Sequence, residues 1–203
     1  MNYTDHILQL SLPLAYLATF LIVFAESGLL IGFFLPGDSL LFTLGLLAAQ
    51  DHFSITTLII ITALGAIAGD SFGYYLGQRF GPRIFNRENS TLFNHKYVDE
   101  AHLFYQRYGR MAVILARFTP IIRTFVPTFA GVAEMNYPLF LGYNVIGGIS
   151  WSLILLGGSY YLGRVFGNLD RYLLLIIVVI VILSLIAPVR TFLKNRRQAK
   201  MMQ

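Results

Sequence analysis

Cysteine and charge are what this sequence has least of. The 203 residues include no cysteine, which excludes disulfide bonds and thiolate metal sites. Charged residues make up 12% of the chain, against roughly 25% in soluble domains. Hydrophobic residues make up 56%, and the mean hydropathy is +0.65. These values exclude a soluble globular protein and predict an all-α integral membrane protein with a single membrane domain.

Positive charge is missing from the first part of the chain. Residues 1–78 contain no lysine or arginine, and all 15 basic residues lie from Arg79 onward, concentrated in residues 79–110 and 190–200. Basic segments beside apolar spans indicate the cytoplasmic side of a membrane more often than a nucleic-acid-binding surface. We therefore expect a multi-pass protein with both basic segments and the C-terminus in the cytoplasm, and no nucleic acid partner.

Two motifs of enzymes are also missing. The sequence contains neither the phosphate-binding G-x-x-x-x-G-K-[ST] nor the zinc-binding H-E-x-x-H, and these are the motifs that place a nucleotide or a catalytic metal. We predict that the protein is not an enzyme and that it has no catalytic residues, no metal and no cofactor.

Residues 26–49 are apolar, yet they carry two acids and a helix-breaking pair. Glu26 lies at the start, Asp38 lies near the middle, and Pro36-Gly37 precedes Asp38. Proline lacks a backbone donor and clashes with the preceding turn, so a helix is expected to break there. In hydrocarbon, such a break and such acids are tolerated only where protein or water meets them. We predict a re-entrant helical hairpin that lines a polar site inside the membrane.

Residues 111–134 form a second apolar stretch that contains charged residues and prolines. These are Arg117, Arg123, Pro120 and Pro127. A span end with snorkelling arginines and a soluble loop are the alternatives. Neither explains two prolines together with two charges near the middle of the stretch. The cost of burying unpaired charge favours a second broken re-entrant segment, with its breaks at the two prolines.

The remaining apolar stretches predict membrane spans of the usual length of about 20 residues. Residues 55–78, 138–163 and 171–189 each predict a full span. Residues 11–34 could cross fully, which places the N-terminus in the cytoplasm, or form a hairpin arm, which places it outside.

A regular series of glycines runs along the span predicted for residues 55–78 and ends three residues beyond it. The glycines are spaced by four: Gly65, Gly69, Gly73, Gly77 and Gly81. Small residues at this spacing let membrane helices approach closely, so we predict a groove along one helix face. Asp70 lies beside this groove.

Two parts of the chain repeat each other. Phe34-Leu-Pro36 resembles Phe125-Val-Pro127, and Tyr74-Tyr-Leu-Gly-Gln-Arg-Phe-Gly81 resembles Tyr160-Tyr-Leu-Gly-Arg-Val-Phe-Gly167. We therefore divide the chain as follows: repeat one, residues 11–81; a cytoplasmic loop, residues 82–110, with an amphipathic surface helix over 97–108; repeat two, residues 111–167; the last span, residues 171–189; and a basic tail, residues 190–203. With both basic segments cytoplasmic, the repeats have opposite orientations. This is the inverted-topology plan of many secondary transporters, whose site lies where the broken helices meet.

The ionisable residues of the two repeats suggest a transport site. Glu26, Asp38 and Asp70 lie in repeat one and the arginines in repeat two, so facing hairpins would bring opposite charges together. Arginine presents a planar fork that suits carboxylate or phosphate. A medium of low dielectric constant favours a neutral carboxyl group, so the acids could bind and release a proton. We assign proton coupling to the three acids and headgroup binding to Arg117 and Arg123. Purely structural ion pairs are the alternative.

Several phrases carry a resemblance to a known family. They are Glu26-Ser-Gly, Phe34-Leu-Pro-Gly-Asp38-Ser, Gly69-Asp70, Ala116-Arg117-Phe-Thr-Pro120-Ile-Ile-Arg123-Thr-Phe-Val-Pro127, and Tyr143-Asn144-Val-Ile-Gly147 followed by Trp151. In these phrases, and over nearly its whole length, the sequence resembles the DedA family of the wider group of SNARE-associated or VTT-domain membrane proteins.

The resemblance implies a bacterial inner-membrane protein with two facing re-entrant hairpins that moves lipids between leaflets. The implied partners are protons and membrane lipids, either undecaprenyl phosphate or a phospholipid such as phosphatidylethanolamine, and the chain could form a homo-oligomer. It also implies dependence on the proton motive force and a part in envelope homeostasis. Glu26 and Asp38 match the functional acids of the family, and Arg117 and Arg123 match its functional arginines.

We therefore predict a flippase-like or scramblase-like lipid transporter. Two alternatives remain open. The first is a proton-coupled antiporter of a small ion or solute, and the second is a scaffold for envelope assembly that transports nothing.

Overall fold

The protein is helical throughout the residues that our computed structural model describes, which are 3–29, 37–85 and 109–165. In chain order the helices are α1 (Tyr3–Gly28), α2 (Gly37–Ala49), α3 (Ile55–Phe85), α4 (Ala112–Ala116), α5 (Pro120–Val132), α6 (Tyr137–Ser152) and α7 (Gly158–Val165). A 3₁₀ turn at Gly109–Met111 precedes α4, and a π-helical turn at Leu153–Gly157 joins α6 to α7. The described residues contain no strand, which confirms the all-α class.

Three of these helical stretches are long and apolar enough to cross a membrane. They are Ser11–Gly28, Ile55–Phe80 and the continuous stretch Tyr137–Val165, while α2 is apolar but shorter. The spans predicted for residues 55–78 and 138–163 are therefore present as helices. The predicted surface helix over 97–108, the last span at 171–189 and the basic tail lie outside the described residues.

Helix α3 lies at the centre of the bundle, where it packs against α1, α5 and α6. Its glycines make the close contacts. A Cβ atom at Gly69 would lie 2.9 Å from the Cβ of Ser27 on α1, and one at Gly65 would lie 3.0 Å from the carbonyl oxygen of Phe20. Atoms cannot approach this closely without a shift, so only glycine fits at Gly69. The predicted glycine groove is confirmed where α3 meets α1.

Substituting Gly77 tests how tightly α3 meets α5. A Cβ at Gly77 would lie 2.8 Å from the carbonyl carbon of Thr128, which is backbone and cannot turn aside. We expect Gly77→Ala to lower the free energy of unfolding by about 1–3 kcal/mol, because the two helices must move apart. Gly142→Ala on α6 is the matched control, since nothing lies within 4 Å of its Cβ position. Unfolding midpoints in a dodecyl sulfate titration measure both, and equal midpoints would contradict close packing.

The second charged apolar stretch is interrupted, as Pro120 predicts, and in the first stretch one helix ends before Pro36 and another begins after it. Helix α1 ends at Gly28 and α2 begins at Gly37, while Pro36 itself lies outside the described residues. In the second stretch, α4 ends at Ala116 and α5 begins at Pro120. Proline is favoured at the first position of a helix because its missing N–H has no intrahelical partner there.

The prediction of a helix break at Pro127 is wrong, because α5 continues through it. Pro127 is buried, and a Cβ at Gly73 of α3 would lie 3.6 Å from the Cβ of Pro127. Neighbouring helices can hold a proline-containing helix together in a membrane protein despite the lost hydrogen bond. The tight packing of α3 on α5 therefore keeps this proline inside a helix.

Two apolar cores support the bundle. The first joins α3, α4, α5 and α6 through Tyr74, Val113, Ala116, Phe125, Val126, Ala130, Met135 and Phe140. The second joins α1, α2, α3, α6 and the π-helical turn through Val23, Leu41, Leu44, Ala48, Leu58, Ala66, Trp151 and Leu156. The ionisable side chains of the predicted site come from helices that contribute to these cores, except for Arg117, which directly follows α4.

Candidate functional site

Arg123 of α5 lies between two carboxyl groups. Its Nη2 atom donates a hydrogen bond to Oε1 of Glu26, at the end of α1. Its Nη1 atom donates to Oδ1 of Asp38, in the first turn of α2, at 2.7 Å. Each nitrogen of the guanidinium fork thus binds a different acid. One arginine connects three helices, and we call Arg123, Glu26 and Asp38 the fork cluster.

The three side chains of the fork cluster differ in their exposure. The Glu26 side chain is 3% exposed and the Arg123 side chain 11%, whereas the Asp38 side chain is 41% exposed. Burial strengthens the attraction between these charges, because the effective dielectric constant falls. Asp38 is therefore the most accessible of the three side chains.

Glu26 also lies against the first residue of α2. A Cβ atom at Gly37 would overlap the Glu26 carboxyl group, so a larger residue here would displace that carboxyl group from its present position. The N-terminus of a helix carries partial positive charge, which favours a carboxylate beside it. The Oε2 atom of Glu26 is buried and has no side-chain partner within the described part of the chain.

Arg117 forms a second cluster with Asp70 and Asn144. Its Nη2 atom donates to Oδ2 of Asp70, to Oδ1 of Asn144 at 2.6 Å and to the carbonyl oxygen of Ala66 at 3.2 Å. The amide nitrogen of Asn144 donates to the carbonyl oxygen of Ile67 at 3.0 Å. Arg117 and Asp70 are buried. We call Arg117, Asp70 and Asn144 the inner cluster, which joins α3 and α6 to the break after α4.

The five ionisable residues picked from the sequence therefore lie in these two clusters. Opposite charges from the first and second broken stretches meet, as predicted, although Arg117 pairs with Asp70 rather than with Glu26 or Asp38. The clusters also interact electrostatically, because the charge of Arg123 acts on both Asp70 and Arg117. With every group ionised, three carboxylates exceed two guanidinium groups, so the combined charge is −1.

One face of α6 contributes residues to which the sequence analysis assigned no role. Asn144 binds Arg117, and a Cβ at Gly147 would lie 3.1 Å from Cδ of Arg117. The guanidinium carbon of Arg123 lies 5.3 Å from the ring centroid of Trp151. These residues follow the spacing i, i+3, i+7, which places them on one side of a helix. That spacing is the signal that could have found them.

One hydrolase-like spacing occurs in α3, where Gly69-Asp70-Ser71-Phe72-Gly73 fits G-x-S-x-G. A nucleophile elbow requires a strained turn between a strand and a helix. Ser71 instead lies inside α3, and its hydroxyl group donates to the carbonyl oxygen of Ile67 at 2.8 Å. The residues that the structure describes also form no group of three or more histidine, aspartate or glutamate side chains able to hold a metal ion.

Comparison with known proteins finds relatives of this chain that are named as membrane proteins. The model of the VTT domain matches residues 35–161. The chain is 44% identical to the uncharacterized membrane protein ML0287 of Mycobacterium leprae, over 90% of this chain and 83% of that protein. It is 39% identical to protein DedA of Escherichia coli K12, over 91% and 84% respectively. It is 35% identical to the inner membrane protein YqjA of the same strain, over 73% and 68%. No solved structure matches the chain significantly. By this domain and these identities, the chain belongs to the DedA family of VTT-domain membrane proteins.

Proposed function

We propose that this protein moves a lipid with an anionic or zwitterionic headgroup between the two leaflets of the bacterial inner membrane, coupled to protons. Undecaprenyl phosphate and phosphatidylethanolamine are the candidate substrates. The observation that carries the proposal is the fork cluster, in which one arginine is shared by two acids and only Asp38 is open. An arginine fork binds phosphate with the same geometry as carboxylate.

Headgroup binding and proton binding are linked in this site, because the headgroup competes with the carboxylates of Glu26 and Asp38 for Arg123. A phosphate group can bind Arg123 fully only when Glu26 or Asp38 releases a nitrogen of the fork. An anion that enters the clusters also adds to a charge that is already −1 when all five groups are ionised. Unpaired charge is costly inside a membrane. Protonation of Glu26 or Asp38 lowers this cost and frees the fork, so the headgroup and a proton bind together.

The inner cluster supplies the second step of the proposed route. Arg117 is buried and already bound to Asp70 and Asn144. A headgroup that leaves Arg123 can therefore bind Arg117 only after Asp70 separates from it. Proton uptake by Asp70 would permit that separation. The route then runs from Asp38 past Arg123 to Arg117.

The proposed architecture is the inverted-topology repeat, with two re-entrant hairpins that meet at the two clusters. Its support is that both helix interruptions lie beside the charged side chains: α2 begins one residue before Asp38, and Arg117 directly follows α4. We extend the proposal to a cytoplasmic C-terminus and to the repeat boundaries given above. The name of YqjA as an inner membrane protein supports the proposed location.

Proteoliposomes test the function directly. Labelled undecaprenyl phosphate and labelled phosphatidylethanolamine would be measured separately, with and without a pH gradient. We expect one lipid to cross faster than in empty vesicles and to respond to the gradient. Asp38→Asn is expected to lower that rate roughly tenfold, which corresponds to the loss of one charge-assisted hydrogen bond.

The matched control is Asp51→Asn, because Asp51 also pairs with an arginine but is 78% exposed. Its rate is expected to equal that of the wild type. If neither lipid crosses faster than in empty vesicles, although the protein is folded, the lipid proposal fails. An antiporter of a small solute and a scaffold would then be the functions to test.

A further inference from the structure

We propose that the face of α6 formed by Asn144, Gly147 and Trp151 positions both arginines, and that Trp151 holds the Arg123 fork still while its acids exchange for a headgroup. Trp151 is thus a positioning residue for headgroup binding. The inference deepens the proposed function and rests on it for its transport consequences, but the contact between Trp151 and Arg123 can be tested without transport.

The geometry separates the edges of the Arg123 guanidinium from its face. The two edges donate to Glu26 and Asp38, whereas the guanidinium carbon lies 5.3 Å from the centroid of the Trp151 ring. Cations within about 6 Å of an indole ring are attracted to it, and more strongly where water is excluded. Carboxyl and phosphate groups compete for the edges only. The contact with Trp151 can therefore persist while the ligands at the edges change.

Trp151 can act in this way because its own position is fixed. It is 3% exposed and belongs to the second apolar core, in which Val23, Leu41 and Leu156 are fully buried. Two residues later the α-helical hydrogen-bond pattern changes to the π-helical turn at Leu153–Gly157. Such turns occur often at functional sites.

Asn144 and Gly147 fix the position of Arg117, as Trp151 fixes the position of Arg123. The Asn144 amide accepts from the Arg117 fork on one side and donates to the backbone of α3 on the other. The missing side chain at Gly147 leaves space for the aliphatic part of Arg117. One helix face thereby sets the spacing between the two guanidinium groups, which defines two successive phosphate positions.

Two substitutions of Trp151 distinguish the effect of its aromatic face from the effect of its volume. Trp151→Phe keeps an aromatic face, and Trp151→Leu keeps only an apolar group. In proteoliposomes, we expect Trp151→Leu to raise the lipid fraction that gives half-maximal rate by about tenfold, with a smaller change in the maximal rate. Trp151→Phe is expected to stay within about threefold of the wild type. Ile149→Leu, at an exposed position of the same helix, is the control.

Equal behaviour of the leucine and phenylalanine variants would overturn the proposal, because packing alone would then explain the effect. The same conclusion follows if Trp151→Leu matches the wild type.

Fluorescence provides a measurement that needs no change in the core. Trp151 is the single tryptophan of the chain, so its emission reports this site alone. We expect Arg123→Gln to shift the emission maximum and Arg164→Gln to leave it unchanged. We also expect phosphorylethanolamine to leave the wild-type maximum near its starting value, because Arg123 stays on the indole. An emission maximum that is unchanged in the Arg123→Gln variant would overturn the contact between Trp151 and Arg123. A shift with phosphorylethanolamine as large as the shift in the Arg123→Gln variant would overturn the proposal that Arg123 stays on the indole ring. A wild type that moves no lipid, together with the expected emission results, would reject the proposed function alone.

Discussion

Replacing Arg123 with glutamine is expected to lower lipid movement in proteoliposomes at least about a hundredfold. The substitution removes the positive charge that binds phosphate and both charge-assisted hydrogen bonds of the fork, each worth about 1.5–3 kcal/mol. Arg123→Lys is expected to retain an intermediate rate, roughly tenfold below the wild type, because lysine keeps the charge but loses the planar fork. Initial rates at saturating lipid measure both variants.

The control for this prediction is Arg164→Gln. Arg164 also forms an ion pair, with Asp51 at 2.6 Å, but both side chains are largely exposed. Exposed pairs contribute little, so its rate is expected to remain within about twofold of the wild type. Wild-type movement in the Arg123→Gln variant would rule out the fork as the headgroup site. A wild-type rate in the Arg123→Lys variant would show that the positive charge is sufficient and that the planar fork is not needed.

Asp70→Asn is expected to lower the free energy of unfolding by about 3–5 kcal/mol. The change leaves the charge of Arg117 buried without its carboxylate, and breaking a buried pair from one side has a cost of this size. Replacing both partners removes the unpaired charge, so Asp70→Asn combined with Arg117→Met is expected to recover most of the lost stability. Unfolding titrations of the single and double variants in the same detergent measure this coupling.

The exposed pair of Asp51 and Arg164 again supplies the control, and Asp51→Asn is expected to change stability by less than about 1 kcal/mol. If the double variant is less stable than Asp70→Asn, the buried charge of Arg117 is not the cause of the loss. The double variant would also separate structure from transport. A folded variant without lipid movement is expected if Arg117 takes part in the route.

Much of this site follows from local sequence. A proline in an apolar stretch predicts an interruption, and an acid or arginine in such a stretch requires a partner. These two rules locate Glu26, Asp38, Arg117 and Arg123, because an unpaired charge inside an apolar stretch is costly whichever helices pack against it. The sequence also predicts the close contacts of the α3 glycines, since their spacing by four places them on one face of a helix.

Other features depend on contacts that the sequence does not contain. Pro120 begins a helix and Pro127 lies inside one, although both occur in the same apolar stretch. Only the packing of α3 on α5 distinguishes them. The choice of Asp70 as the partner of Arg117 likewise depends on the relative positions of α3 and α4. Trp151 is equally compatible with an apolar core and with a contact to a cation until Arg123 is placed beside it.

The glycine contacts of α3 also determine which helices can move separately. Close backbone contacts join α1, α3 and α5 into one group, whereas α2 packs mainly on α7 and the π-helical turn. Glu26 belongs to the first group and Asp38 to the second, and Arg123 binds both. Because Arg123 lies on α5, its pair with Glu26 is within the first group and only its pair with Asp38 crosses between the groups. A rocking motion between the groups must therefore break the pair of Arg123 and Asp38 and can leave the pair of Arg123 and Glu26 intact. In the proposed transporter, proton uptake by Asp38 would release α2 from the arginine, whereas proton uptake by Glu26 would leave the link between the two groups in place.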